Sequence, residues 1–439
     1  MDAQSHQPFN PLDFLRRIDP LQTYTIEILT GGIMNMTVRA TKLVHDRGLF
    51  KGHNSLILKH SPPFVAGIGE SLPMTTFRQT IEARALSLFS QGNEYSLRDI
   101  CTESSVSVPE ILSYDRECHV LIISDLGNLP NLAHSFSDLG GYYNKPLSPL
   151  DNEENDGRSQ LNSEGHISYY ETLGTRLGIF FARLHSPKTL QAIIEHPDRG
   201  TEFLKNPYLS NFAFENGIKP IKHNLQLFPQ FLDKEEAAIL YERAAGDNTI
   251  PLEDGENSLI MADCWPGSII TSPLDSSLGA MDPTKIEVGV VDWEFATVGR
   301  GLNNDLAQLL ARFCLLHCAA VCREDMVRQK QLSALAFAIM ESYRNTSEQH
   351  TAPWAKHGSE CSSEVGETEE EEKDSNPFNL KPSTLRAKML RSMFLTYGIE
   401  IMRCGFAKTW NCHNDACIVD GQHAVPKNEC PMIQNMVTC

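Results

Sequence analysis

The spacing of apolar residues changes along this chain and predicts two kinds of structure. In its first third the apolar runs are short and end in glycine, proline or polar turns. Residues 26–39 read as strand, glycine turn and strand; 55–59 read as a strand; 118–127 read as a buried strand stopping in an Asp-Leu-Gly turn. The stretch after Pro73 instead takes helical spacing, with Ile81, Ala85 and Leu88 on one face. Further on, residues 171–185 carry apolar side chains three and four apart, the mark of an amphipathic helix. Another helix starts at Asn304-Asp305, either of which suits a cap. Between these helices lie two apolar strands, 259–270 and 290–295, each broken by an acidic residue.

Those acidic breaks carry the chemistry. Asp263 ends one apolar run and is followed by a Pro266-Gly267 turn and a hydroxyl, Ser268; Asp292 ends the other, with Glu294 two positions on. An Asp, a polar metal ligand five positions later and an Asp opening a later turn form the order of a phosphoryl-transfer loop. Such a transfer requires an acceptor hydroxyl held in line with the γ-phosphate and charge neutralised on the phosphate oxygens. Asp263 is the candidate for receiving the acceptor's proton. Ser268, Asp292 and Glu294 offer hard oxygens of the kind Mg²⁺ takes alongside water and phosphate. In an extended segment Asp292 and Glu294 share a side and Trp293 turns away. Either segment alone reads equally well as a strand closed by an acidic turn former.

The same chemistry needs a nucleotide cradle. Gly31 and Gly32, with Asn35 in the same turn, let backbone N–H groups approach phosphate oxygens. Lys59 ends an apolar strand, as a phosphate-pairing lysine does, and Glu82 on the following helix is its natural partner. Ser124 and Leu126 sit where the strand of 118–127 turns, in position to meet adenine through backbone groups.

Together these segments resemble the aminoglycoside phosphotransferase and choline kinase superfamily, and within it the methylthioribose kinases and fungal 4-hydroxytryptamine kinases, over about residues 29–403. Met261-Ala262-Asp263 stands where the superfamily usually has His-Gly-Asp. The resemblance implies an α+β, two-lobed protein-kinase-like fold: an antiparallel β-sheet N-lobe with one main helix and a mostly helical C-lobe. It implies ATP and Mg as cofactors and a small-molecule hydroxylated substrate such as an amine, sugar or nucleoside fragment. It also gives Asp305 the task of bracing the catalytic loop, and makes Trp265 and Arg403 substrate-side candidates. Methylthioribose kinases follow that arginine with a second one, where this chain has Cys404. Two other classes remain: a protein kinase, disfavoured because 292–305 is too short for an activation segment, and a non-catalytic nucleotide-binding relative.

Composition then sets limits. The 439 residues suffice for two lobes: an N-terminal extension 1–22, a nucleotide-binding lobe 23–126, a hinge with insertion 127–168, and a helical lobe 169–439 containing an acidic loop at 351–377. A formal net charge of −18 disfavours a nucleic-acid partner. The absence of an eighteen-residue apolar run or a basic, apolar leader pattern makes a cytoplasmic protein without membrane association the expectation, as a monomer or homodimer. Twelve cysteines, several on an apolar helix, are expected to be reduced, and Cys412, His413, Cys417, His423 and Cys430 fit no zinc spacing.

Overall fold

The computed structural model describes residues 9–29, 32–44, 47–90, 96–136, 159–195, 203–226, 233–249, 257–273, 283–349 and 392–401. Gly31, Arg403, the acidic loop and the Cys/His-rich tail lie outside them.

The chain opens with α1 (Pro11–Ile18), whose first turn is capped by the Asn10 side chain. β1 (Tyr24–Ile28), β2 (Met36–Lys42), β3 (Ser55–His60), a small hairpin of β4 (Phe64–Val65) and β5 (Gly69–Pro73), α2 (Phe77–Ser87), α3 (Arg98–Ser104), β6 (Ile111–Asp115) and β7 (Val120–Ser124) complete the N-lobe. Five of these strands form one antiparallel sheet in the order β1-β2-β3-β7-β6. The period of two sorts its faces. Leu56, Leu58, Val120 and Ile122 pack with Phe14 and Leu15 of α1, whereas Ile57, Leu121 and Ile123 face the cluster that contains Ile81 of α2. Lys59 is paired with Leu121 and falls on the α2 side. The helix predicted after Pro73 begins at Phe77, because Gly69–Pro73 is claimed by the hairpin.

The second lobe is mostly helical: α4 (Ser159–Leu184), α5 (Pro187–Ile194), α6 (Leu209–Ala213), α7 (Ile221–Leu225), α8 (Lys234–Thr249), α9 (Ala307–Cys322), α10 (Met326–Gln349) and a helical segment at 392–401. α4 and α10 run in close contact because Gly174 and Gly178 leave room. A β-carbon on Gly178 would stand 2.5 Å from the Ile339 carbonyl oxygen. Two short two-stranded antiparallel sheets interrupt the helices: β8 (Ser258–Ile260) with β11 (Thr297–Gly299) and, between them in the chain, β9 (Ile269–Thr271) with β10 (Val288–Val290). Among the described residues, Asn304–Cys322 is long and apolar enough to cross a membrane by composition, and two thirds of that stretch, 67 %, is buried inside the protein.

Two sequence expectations change here. The strand carrying Asp292 ends at Val290, and Asp292 itself adopts a left-handed backbone with φ of 64°. Asp292 and Glu294 are therefore not alternate residues of an extended strand; Trp293 between them is fully buried, its indole N–H donating to the Val290 carbonyl at 3.2 Å. The helix expected to start under an Asn or Asp cap starts instead at Ala307, after a π-turn at Leu302–Leu306. Asp305 lies in that turn with its carboxylate directed at the loop after β8.

Candidate active site

The two acidic loops are held by backbone geometry that their sequences do not announce. Ala262 sits at φ of 63°, a conformation expensive for a residue with a β-carbon. It is stabilised from below: the buried Asp305 carboxylate accepts the N–H groups of Ala262 at 2.8 Å and Met261 at 2.9 Å. His185, at the end of α4, bridges Asp305 at 3.0 Å and the Tyr343 hydroxyl at 3.0 Å. Gln308 accepts the Cys264 N–H at 3.1 Å. Asp263 is thus flanked on both sides by pinned backbone, and its own side chain is half-buried. The turn that follows packs tightly, since a β-carbon on Gly267 would strike the Trp265 ring.

Asp292 meets the N-lobe through Lys59. The ammonium lies 2.6 Å from Glu82 Oε1 and 2.8 Å from Asp292 Oδ1. Burial alone would pull the Lys59 pKa down, but Asp292, Glu82 and Glu294 outweigh it and hold the pKa above its usual value. The Lys59 and Glu82 side chains are 4 % and 1 % exposed, whereas Asp292 keeps 33 %, so the aspartate is the member of the trio that solvent reaches. The predicted Lys59–Glu82 pairing is present in the structure.

Glu294 has a different setting. It is buried, receives the Asn35 amide at 2.6 Å and lies 3.5 Å from the Arg78 guanidinium. Desolvation, with Glu82 and Asp292 adding to it, raises its pKa to about 8 against the pull of Lys59 and Arg78. Asn35, offered by the sequence to the nucleotide, is itself buried: its carbonyl oxygen accepts from Ser61 at 2.6 Å and Arg78 at 3.1 Å. Arg78 was missed by the sequence reading. It is 1 % exposed and donates to the carbonyls of Met34, Pro62, Phe64 and Thr75 as well. An arginine one turn ahead of Glu82 is the only sequence signal that could have marked it.

Ser268 is fully buried. Its hydroxyl donates to the Trp265 carbonyl at 2.8 Å and accepts the Trp265 N–H at 3.2 Å, so the structure commits it to its own turn. That turn is tied to the second loop by the Val291 N–H, which donates to the Ser268 carbonyl at 2.9 Å. At the end of β7, the Ser124 N–H donates to the Glu110 carbonyl at 2.8 Å, and the Leu126 methyl approaches Gly289 of β10. Arg39 of β2 grips Asp125 between them at 2.7 Å. Gly32 is exposed with open space above it.

Among the described residues no three His, Cys, Asp or Glu side chains group closely enough to hold a metal by themselves. Asp292 does fit Mg²⁺, which takes one or two carboxylates and completes its shell with water and substrate phosphate oxygens.

No protein-family model matches the chain. It is 25 % identical over 340 residues to 4-hydroxytryptamine kinase of Psilocybe cubensis, an alignment covering 76 % of this chain and 78 % of that enzyme. It is likewise 25 % identical over 326 residues to a methylthioribose kinase of Bacillus cereus, covering 71 % of this chain and 66 % of the bacterial enzyme, a little under two thirds. Its relatives are small-molecule kinases. Among solved structures, spectinomycin phosphotransferase in complex with ADP and spectinomycin aligns with 79 % of this chain and 88 % of its own, at 12 % identity and a TM-score of 0.31. The antiparallel sheet with its main helix and the mostly helical second part are the division that the resemblance implied.

Proposed function

We propose that the protein is a kinase that transfers the γ-phosphate of ATP, with Mg²⁺, to a hydroxyl of a small metabolite such as an amine, a sugar or a nucleoside fragment. The observation that carries the reading is Lys59 held between Glu82 of the N-lobe and Asp292 of the C-lobe, 2.6 Å and 2.8 Å away. A cation fixed in that place serves phosphate oxygens, and the partly exposed carboxylate beside it serves their metal.

Each residue then has a task. Asp263 accepts the acceptor's proton, held in position by the Asp305 and Gln308 contacts on either side. Gly31 and Gly32 admit the phosphates, and backbone groups at Ser124 and Leu126 receive the base. Mg²⁺, when bound, neutralises charge on the phosphates. Asp292 is its principal ligand, and Glu294 and Ser268 support that position, the first through Asn35 and Arg78 and the second through the turn. Trp265 and Arg403 are the candidates for contacting the acceptor.

The test uses purified protein melted with ATP, with Mg²⁺ and with both, followed by ADP release against panels of hydroxylated amines, sugars and nucleoside fragments. A ligand that binds only the folded state raises the midpoint by mass action. The expected result is a shift requiring both ligands, and turnover with at least one acceptor. Asp263→Asn keeps that shift and loses turnover. An unchanged rate in Asp263→Asn overturns its role, and no shift with ATP and Mg²⁺ together overturns the nucleotide site.

A further inference from the structure

The geometry points to a two-thiol binding site for soft, thiophilic electrophiles, built by Cys314 and Cys318 of α9 where that helix meets the segment 392–401. It stands apart from the kinase reading and does not depend on it. Residues four apart lie one above the other on a helix face. Both are half-buried thiols outside any disulfide. The Cys314 sulfur accepts hydrogen bonds from the Cys318 thiol and from the Tyr397 hydroxyl of the facing segment. One helical turn from these bonds, Arg312 and Glu400 clamp the same seam at 2.6 Å.

The two thiols are unequal in a useful way. The Cys318 thiol leads in holding Cys314 down to about 6; burial opposes it and the Tyr397 hydroxyl adds to it. Burial instead pushes Cys101 up to about 11 and Cys264 well above the usual thiol range. The thiolate is the nucleophile and the ligand, so the pair offers one sulfur whose thiolate form its neighbours favour and a second in contact with it.

Helix geometry decides what the pair can hold. Side chains four apart on a helix have β-carbons about 5–6 Å from each other, and a disulfide needs about 3.5–4.5 Å. A direct sulfur–sulfur bond therefore requires α9 to bend, whereas one bridging atom closes the gap on a straight helix. Thiolates select soft acceptors. A tetrahedral zinc site needs four ligands, and among the described residues no group of three metal-binding side chains exists to begin one. The site is thus two-coordinate. A trivalent aryl arsenoxide matches it: the As=O oxygen leaves as water with the two thiol protons, two As–S bonds form and arsenic stays trivalent.

Phenylarsine oxide is added to the full-length protein kept reduced with a phosphine, and bound equivalents are counted by intact-mass spectrometry. Cys314→Ser and Cys318→Ser are each expected to bind one equivalent fewer than wild type, and Cys101→Ser, which lies on α3 away from that face, the same number. The bridge is expected on the tryptic peptide 313–323 of the wild type. Wild-type stoichiometry in either of the first two variants overturns the site. If those variants do not fold, a wild-type peptide 313–323 carrying no arsenic overturns it as well.

Discussion

Asp305→Asn is the substitution that most sharply tests how the loop carrying Asp263 is held. The carboxylate is fully buried and serves three donors: Met261 N–H at 2.9 Å and His185 Nε2 at 3.0 Å on one oxygen, and Ala262 N–H at 2.8 Å on the other. Asparagine replaces one oxygen with an NH₂ group. Whichever way the amide is turned, a donor then faces a donor, leaving at least one backbone N–H and one NH₂ proton without acceptors. At roughly 1–3 kcal/mol for each orphaned buried group, the loss is about 2–6 kcal/mol. That is a large share of the roughly 5–15 kcal/mol by which domains are typically stable. The left-handed Ala262 adds a functional part, because its strain is tolerated only while both neighbouring N–H groups are fixed. Released, Ala262 relaxes and carries Asp263 with it. Denaturant unfolding of wild type and variant, with a check that the m-value is unchanged, measures the first effect, and ADP release measures the second. A stability loss under about 1 kcal/mol, below the cost of a single orphaned donor, refutes the argument, and so does wild-type turnover in a stably folded variant.

Three further outcomes are expected. Gly178→Ala should lower the melting midpoint although alanine favours helices by about 1 kcal/mol, because its β-carbon meets the Ile339 carbonyl oxygen at 2.5 Å; Gly246→Ala on α8, with nothing within 4 Å, should raise it. Equal signs in thermal melts would contradict the packing of α4 on α10. Lys59→Met leaves Glu82, whose pKa burial already raises, without its cation. A carboxylate raised by burial costs stability as the pH climbs above its ordinary, unfolded value, so the variant's deficit should widen as the pH rises through and beyond the usual carboxylate range, and a deficit flat with pH counts against the buried pair. Desolvation, aided by His119 and Arg78, lowers the His60 pKa to about 4 from an ordinary 6.5. The folded state thus binds fewer protons than the unfolded one between those values, and stability falls as pH drops through that window. His60→Gln should flatten that part of the pH profile, and an unaltered slope removes His60 as a contributor.

The parts legible in sequence are those governed by local period. Alternation in 55–59 placed Lys59 on the same side as Ile57, and helical spacing after Pro73 placed Glu82 to meet it. The left-handed turn at Asp292 was not legible, because nothing local demands it: Trp293 filling the core and the Val291 bond to Ser268 impose it from a distance. Arg78 escaped for a similar reason, since its acceptors are carbonyls drawn from Met34, Pro62, Phe64 and Thr75, and carbonyls leave no trace in residue identity. Ser268 shows the opposite case. Its residue type suited a metal, yet a short turn used the hydroxyl first.

Lys59 touches Asp292 across 233 positions of chain, and Asn35 touches Glu294 across 259. During synthesis at roughly 5–20 residues per second, the lysine emerges on the order of 10 to 50 s before its second partner exists. In that interval Lys59 can be matched by Glu82 but not by Asp292, and Asn35 cannot meet Glu294. A nascent chain halted before Asp292 therefore lacks both of these long-range contacts, and they are among the last to close.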